Sequence, residues 1–234
     1  MASVEETIKK KAKRRTKLRV LNIILIIIVL FLVNVYIVLG IVYKGGNFTV
    51  SLDSEYGKES GLIIYEDSVK KENRKYLKAK DIDFFTDISV DWLPENIDNE
   101  AEGTHNGKNY IAHTFYAENL GQETINYWAK IEIDAVVKNV DEAIRVMVIK
   151  NGERTIYAKP NKVTGQPEKG TVPFKDDTKV MVQENTNFNV EDKDKYTVVI
   201  WVEGDDPECI DSLIGGEIKM HMTLTEEHIP NPEL

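Results

Sequence analysis

From Val20 to Tyr43 the chain carries no charged side chain, and "IILIIIVLFLV" at 23–33 is continuously apolar. As a helix rising about 1.5 Å per residue, such a run reaches about 36 Å, enough to cross a hydrocarbon layer of about 30 Å with some tilt. Asn22 and Asn34 are its only amides, and Tyr36 and Tyr43 suit an interface. Runs this long and apolar span membranes more readily than they pack in soluble cores. Residues 1–19 hold eight basic side chains (Lys9, Lys10, Lys11, Lys13, Arg14, Arg15, Lys17 and Arg19) against Glu5 and Glu6. Positive flanks stay cytoplasmic, so the expectation is a basic cytoplasmic segment at 1–19, a transmembrane helix at 20–43 and an extracytoplasmic remainder. The basic head also suits contact with anionic lipid.

A cleavable export signal has a shorter apolar region and small residues at its end. Cutting after Gly45 places Tyr43 two positions upstream, and cutting after Gly46 places Lys44 there. An uncleaved signal-anchor is therefore expected, with cleavage by an unusual signal peptidase as the rival. The net charge of −9, set against so basic a head, leaves the remainder strongly acidic, which argues against nucleic acid as a partner. One cysteine, Cys209, excludes an internal disulfide framework and leans toward a bacterial surface protein. Pairing of Cys209 between chains is the alternative to a solitary thiol. "NFT" at 47–49 matches a glycosylation sequon whose use depends on the host.

Beyond Gly46 the pattern changes to short alternating segments. Strands are expected at "NFTVSL" (47–52), "GLIIY" (61–65), "DFFTDISV" (83–90), "NYIAHTFYAEN" (109–119) and "INYWAKIEIDAVVK" (125–138). Four more follow at "AIRVMVIK" (143–150), "RTIYAK" (154–159), "YTVVIWVE" (196–203) and "EIKMHMTLT" (217–225). In the last, Ile218, Met220, Met222 and Leu224 share a face opposite Lys219, His221 and Thr223. "YTVVIWVE" is apolar on both faces, as a central strand is. Asn151-Gly152 is a strong hairpin signal, because both residues tolerate positive φ. The fold class is thus all-β, an antiparallel β-sandwich of jelly-roll or Ig-like type over 47–226, preceded by one transmembrane helix. "SVKKENRKYLKAKD" (68–81) reads as a helical turn or loop, and 160–195 as an exposed excursion. Residues 227–234 form an extended tail holding two prolines, with no second span or sortase signal, so the N-terminal helix is the expected anchor.

Catalytic motifs are missing from the sequence. His105, His113, His221 and His228 form no H-E-x-x-H pair, and neither a G-x-S-x-G elbow nor a phosphate-cradling glycine loop occurs. His113 and His221 read as ordinary surface residues on alternating strands. Phe115, Tyr116, Tyr127, Trp128 and Trp201 could line a sugar platform, but aromatic residues of this kind more often build sandwich cores. The densest polar feature is "VEGDDPECIDSLIGGE" (202–217), where Glu203, Asp205, Asp206, Glu208 and Asp211 could supply oxygen ligands to Ca²⁺ without EF-hand spacing. No other cofactor is expected. Gly215-Gly216 marks a bulge or tight entry into the last strand.

Three stretches, "GNFTVSLD" after a signal-like helix, "FYAENLGQETINYWAKI", and "YTVVIWVEGDDPEC" ahead of "GGEIKMHMTL", together resemble the TasA/camelysin-type exported family of Gram-positive bacteria. The resemblance spans roughly 47–225. It implies a jelly-roll-like sandwich and a surface or biofilm-matrix role, with fibres in some members built by donation of an N-terminal strand. The protease activity that camelysin's name carries finds no metal-protease motif here. The chain departs from the family's pattern in its longer, unpunctuated anchor, which would tether "NFTVSL" and keep it from entering a neighbour's sheet edge. The expected function is a non-enzymatic, membrane-anchored surface protein for adhesion, envelope organisation or protein assembly, touching lipid through its helix and protein partners or its own copies through the sandwich. The alternatives are a signal-cleaved matrix fibre subunit and a calcium- or carbohydrate-binding module.

Overall fold

The computed structural model describes residues 17, 19–36, 47–53, 61–82 and 86–228. The chain divides into two units, Met1–Gly45 and Gly46–Leu234. In the first, a helix α1 spans Arg19–Tyr36, 18 residues long. Its apolar side chains are exposed on every face, Leu25 and Ile27 at 59% and Phe31 at 67%. The basic head up to Thr16, the segment 37–46 and the tail 229–234 lie outside the described residues.

The second unit is two β-sheets. Its strands are β1 (Phe48–Asp53), β2 (Leu62–Tyr65), β3 (Tyr76–Lys78), β4 (Gly103–Thr104), β5 (Tyr110–Asn119) and β6 (Ile125–Val137). They continue as β7 (Ile144–Lys150), β8 (Glu153–Ala158), β9 (Val172–Pro173), β10 (Lys179–Phe188), β11 (Lys193–Val202) and β12 (Glu217–His228). One sheet has the order β10-β6-β12-β1-β3; the other runs β2-β5-β11-β7-β8-β9, with β4 also on β5. Both are mixed, which corrects the expectation of a purely antiparallel sandwich: β1 runs parallel to β12, and β8 parallel to β9. A hairpin forces antiparallel pairing only on neighbours in sequence. β1 and β12 come from opposite ends of the domain, and their register, Phe48 beside Met220 and Leu52 beside Leu224, aligns two apolar faces on one core.

That core lies between the sheets. Phe48, Val50, Met220, Met222 and Leu224 from one sheet meet Ile64, Phe115, Val146, Val198 and Ile200 from the other. The alternation in β12 therefore reads as expected. β11, apolar on both faces, is central: it pairs with β5 and β7, and its second face, Val199 and Trp201, packs beneath Ile88 and Ile97 in a smaller cluster. Each fully buried side chain of this size contributes about 1.5–3 kcal/mol of transfer free energy. The β7–β8 hairpin turns at Asn151 (φ 51°) and Gly152 (φ 87°), as the dipeptide requires.

Three segments differ from expectation. Residues 160–195 are no simple excursion: they contain β10, paired along β6 at a sheet edge. Six of its ten residues are polar and its exposed positions do not alternate with buried ones, so it lacks the apolar alternation that marks half-buried strands. Within 68–81 lies the short strand β3, which caps the β1 edge. Of the strand expected at 83–90, residues 83–85 lie outside the described residues, and the remainder makes a single bridge from Ile88 to Glu203 before a 3-10 turn at Val90–Trp92.

Candidate functional site at the acidic turn after β11

β11 ends in a turn, and the five acidic residues expected to act together separate into different roles. Glu203 folds back on its own strand: its Oε2 accepts from Trp201 Nε1 at 3.0 Å and from the Val90 amide at 3.1 Å. It thereby ties the 88–92 segment over the smaller core. Asp205 Oδ2 accepts from the Ser89 hydroxyl at 2.8 Å. Asp211 is exposed and opens a 3-10 turn at Asp211–Leu213. Only Asp206 and Glu208 come together, and they do so with Glu168 from the β8–β10 connection, their carboxylate oxygens lying within 4.8 Å of one another. Glu168 has no counterpart among the residues singled out from the sequence, because it lies some forty positions away and joins the turn only through folding.

Electrostatics shape this cluster. Asp206 is 4% exposed and faces Arg145 of β7, whose Nη2 donates to Asp206 Oδ2 at 2.5 Å. Its Oδ1 accepts the Glu208 amide at 2.8 Å. Glu208 Oε1 accepts the Lys162 amide at 3.0 Å, while Glu168 Oε1 is buried without a hydrogen-bond partner. Burial, followed by the hydrogen bond to Asp206 and the charges of Asp206 and Glu168, pushes the Glu208 carboxyl above its ordinary range. The arrangement crowds three carboxyls and favours the protonated form of Glu208. Among the positions expected to hold calcium, Glu203 and Asp205 accept from protein donors, and Asp211 is not among the carboxylates that meet at Glu168. Cys209 is half-buried, and burial with Asp87, Asp206 and Glu203 raises its thiol pKa, which keeps it protonated and poorly nucleophilic. Gly215 takes φ 72° and Gly216 packs where a Cβ would lie 2.7 Å from Val140 Cβ, a tight entry into β12 as expected.

The histidines and aromatics fall differently. His113, expected at the surface, is fully buried: its Nδ1 meets Thr104 Oγ1 at 3.1 Å, Glu66 Oε1 lies 3.4 Å from Nε2, and desolvation, with the charge of His105, lowers its pKa to about 4. Its neighbours two positions away, Ile111 and Phe115, are core residues on the same face, and that pattern could have placed it. His221 is partly exposed, and its Nδ1 lies 2.7 Å from Asp134. Phe115, Tyr116, Tyr127 and Trp201 are buried, and Trp128 donates from Nε1 to Glu227 at 3.2 Å, so these five rings form no exposed platform.

No family model matches the chain, and no curated protein matches it. Among solved structures it has a weak likeness to selenomethionine-labelled β-glucosidase from Kluyveromyces marxianus, at 12% identity and TM-score 0.26, over 74% of this chain and 18% of the enzyme. The glucose complex of β-glucosidase from the same yeast gives 13% identity and TM-score 0.23, over 78% of this chain and 18% of that one. This chain thus spans under a fifth of the enzyme's length, and the likeness carries no functional argument.

Proposed function

We propose that this chain is a non-enzymatic, single-pass membrane protein displaying a jelly-roll-like β-sandwich on the cell exterior for adhesion, envelope organisation or assembly with protein partners. The observation that carries the reading is α1, whose Leu, Ile, Val and Phe side chains stand exposed around its whole circumference. A helix apolar all round calls for a surrounding apolar phase, and 18 residues rise about 27 Å before the uncharged sequence continues to Tyr43. The basic flank in the sequence supports an orientation with the sandwich outside. The resemblance to the TasA/camelysin-type family agrees with a surface role. β1 is paired on both edges within its own sheet, which favours a self-contained displayed domain over a strand reserved for a neighbour.

Topology is tested in the full chain with Cys209→Ser and Val163→Cys, the latter at a site 91% exposed in the β8–β10 connection. A membrane-impermeant maleimide should label intact cells, and the chain should fractionate with membranes. Labelling only after lysis, or recovery of the intact chain as soluble protein, overturns the reading.

A further inference from the structure

A largely enclosed amine, Lys150 with 23% of its side chain exposed, faces a side-chain carboxamide. Lys150 ends β7 in one sheet, and Asn185 lies on β10 in the other. Lys150 Nζ donates to Asn185 Oδ1, which brings the amine nitrogen against the carboxamide carbon. Asn185 is 7% exposed, and its Nδ2 donates to the Tyr127 carbonyl at 3.4 Å. Beside both stands Asp194 of β11, also 7% exposed, with Oδ2 at 3.0 Å from Lys150 Nζ. Asp194 is held in place: the Tyr127 hydroxyl donates to Oδ2, and Asn151 Nδ2 donates to Oδ1 at 2.6 Å. The rings of Tyr127 and Tyr196, both fully buried, each lie 5.8 Å from the amine.

We propose that Lys150 and Asn185 form an intramolecular isopeptide bond, with Asp194 as the proton carrier, stapling the two sheets covalently. Asp194 takes a proton from the Lys150 ammonium, and the amine then attacks Asn185 Cγ. The Nζ–Cγ bond forms, Asp194 returns its proton to Nδ2, and the Cγ–Nδ2 bond breaks to release ammonia. Asp194 then takes the second proton from Nζ, leaving a neutral secondary amide, and passes it to the ammonia, which departs as ammonium. Overall an ammonium and a primary carboxamide become a secondary amide and an ammonium ion, with no change of oxidation state and no co-reactant. Holding amine, carboxamide and carboxylate together makes the attack unimolecular, the condition under which a sluggish aminolysis proceeds. A cleft of about 380 Å³ lined by Lys150, Asn185, Phe188 and Asp194 offers ammonia its exit. The staple also fits its place. Among the described residues β10 is an edge strand with β6 as its one sheet neighbour, and a chain with one cysteine has no internal disulfide to secure it.

Mass spectrometry of the full-length chain, purified in detergent and digested with trypsin, tests the bond. The expected product is a branched peptide joining 146–154, uncut after Lys150, to 180–193, lighter by about 17 Da than the two linear peptides together through loss of ammonia. Asp194→Asn keeps amine and carboxamide but lacks the proton carrier, and the branched peptide should fall at least tenfold while circular dichroism stays that of a β-protein. Lys150→Arg keeps the positive charge and should give none of it, with 180–193 recovered linear, so a folded control remains even where Asp194→Asn does not fold. Cleavage after Lys150 with a linear 180–193 in the wild-type chain overturns the proposal. An undiminished branched peptide in folded Asp194→Asn overturns the role of Asp194.

Discussion

Arg145 and Asp206 form a buried ion pair: Nη2 lies 2.5 Å from Oδ2, with 6% and 0% of the two side chains exposed. The pair pins the acidic turn after β11 to the start of β7. Asp206→Ala leaves a guanidinium buried without its partner, and a loss of about 3–5 kcal/mol is expected in chemical denaturation of the solubilised chain. Arg145→Met with Asp206→Leu removes both charges and should recover most of that loss.

His113 makes stability depend on pH. Its folded pKa of about 4 lies below the ordinary 6.5, so below pH 6.5 the unfolded chain binds the extra proton. The contribution is fully present above pH 6.5 and is lost as pH falls from there toward 4. The shift corresponds to about 3 kcal/mol at most. Glu66, 3.4 Å away and raised by burial, acts in the opposite sense, as does any buried carboxyl that keeps its proton on folding. Denaturation midpoints measured from pH 7.5 to 4.5 should fall less steeply in His113→Gln than in the wild type.

Phe48 tests whether β1 belongs to the working core. It is fully buried between the sheets and sits beside Met220 in the parallel pair. Phe48→Ala should cost about 3–5 kcal/mol, as large-to-small changes in packed interiors do. A cost below 1 kcal/mol, about that of an exposed site, would show β1 to be dispensable.

Gly152 isolates the turn from packing. A Cβ there meets nothing within 4 Å, so Gly152→Ala registers only the left-handed backbone at φ 87°. The expected cost is about 1–2 kcal/mol by thermal or chemical unfolding, with the spectrum of the folded state unchanged.

Much of the architecture is legible locally. The β7–β8 turn follows from Asn151-Gly152, and β12 from alternation of Ile218, Met220, Met222 and Leu224 with polar neighbours. β10 escaped because its Gln183, Glu184, Thr186 and Asn187 face solvent at a sheet edge, where no apolar period is required. The acidic turn stood out in the sequence, but the sorting of its carboxylates depended on Trp201, Val90, Ser89 and Arg145, three of which come from other segments.

Period and composition by themselves determined the apolar helix, the β class of the remainder and the central place of β11, because each follows from side chains a few residues apart. Only tertiary structure decided the parallel seat of β1, the burial of His113, the meeting of Glu168 with Asp206 and Glu208, and the contact of Lys150 with Asn185. Those relationships join residues distant along the chain, and they arise when two sheets close over a shared interior and fix which polar groups must find partners there.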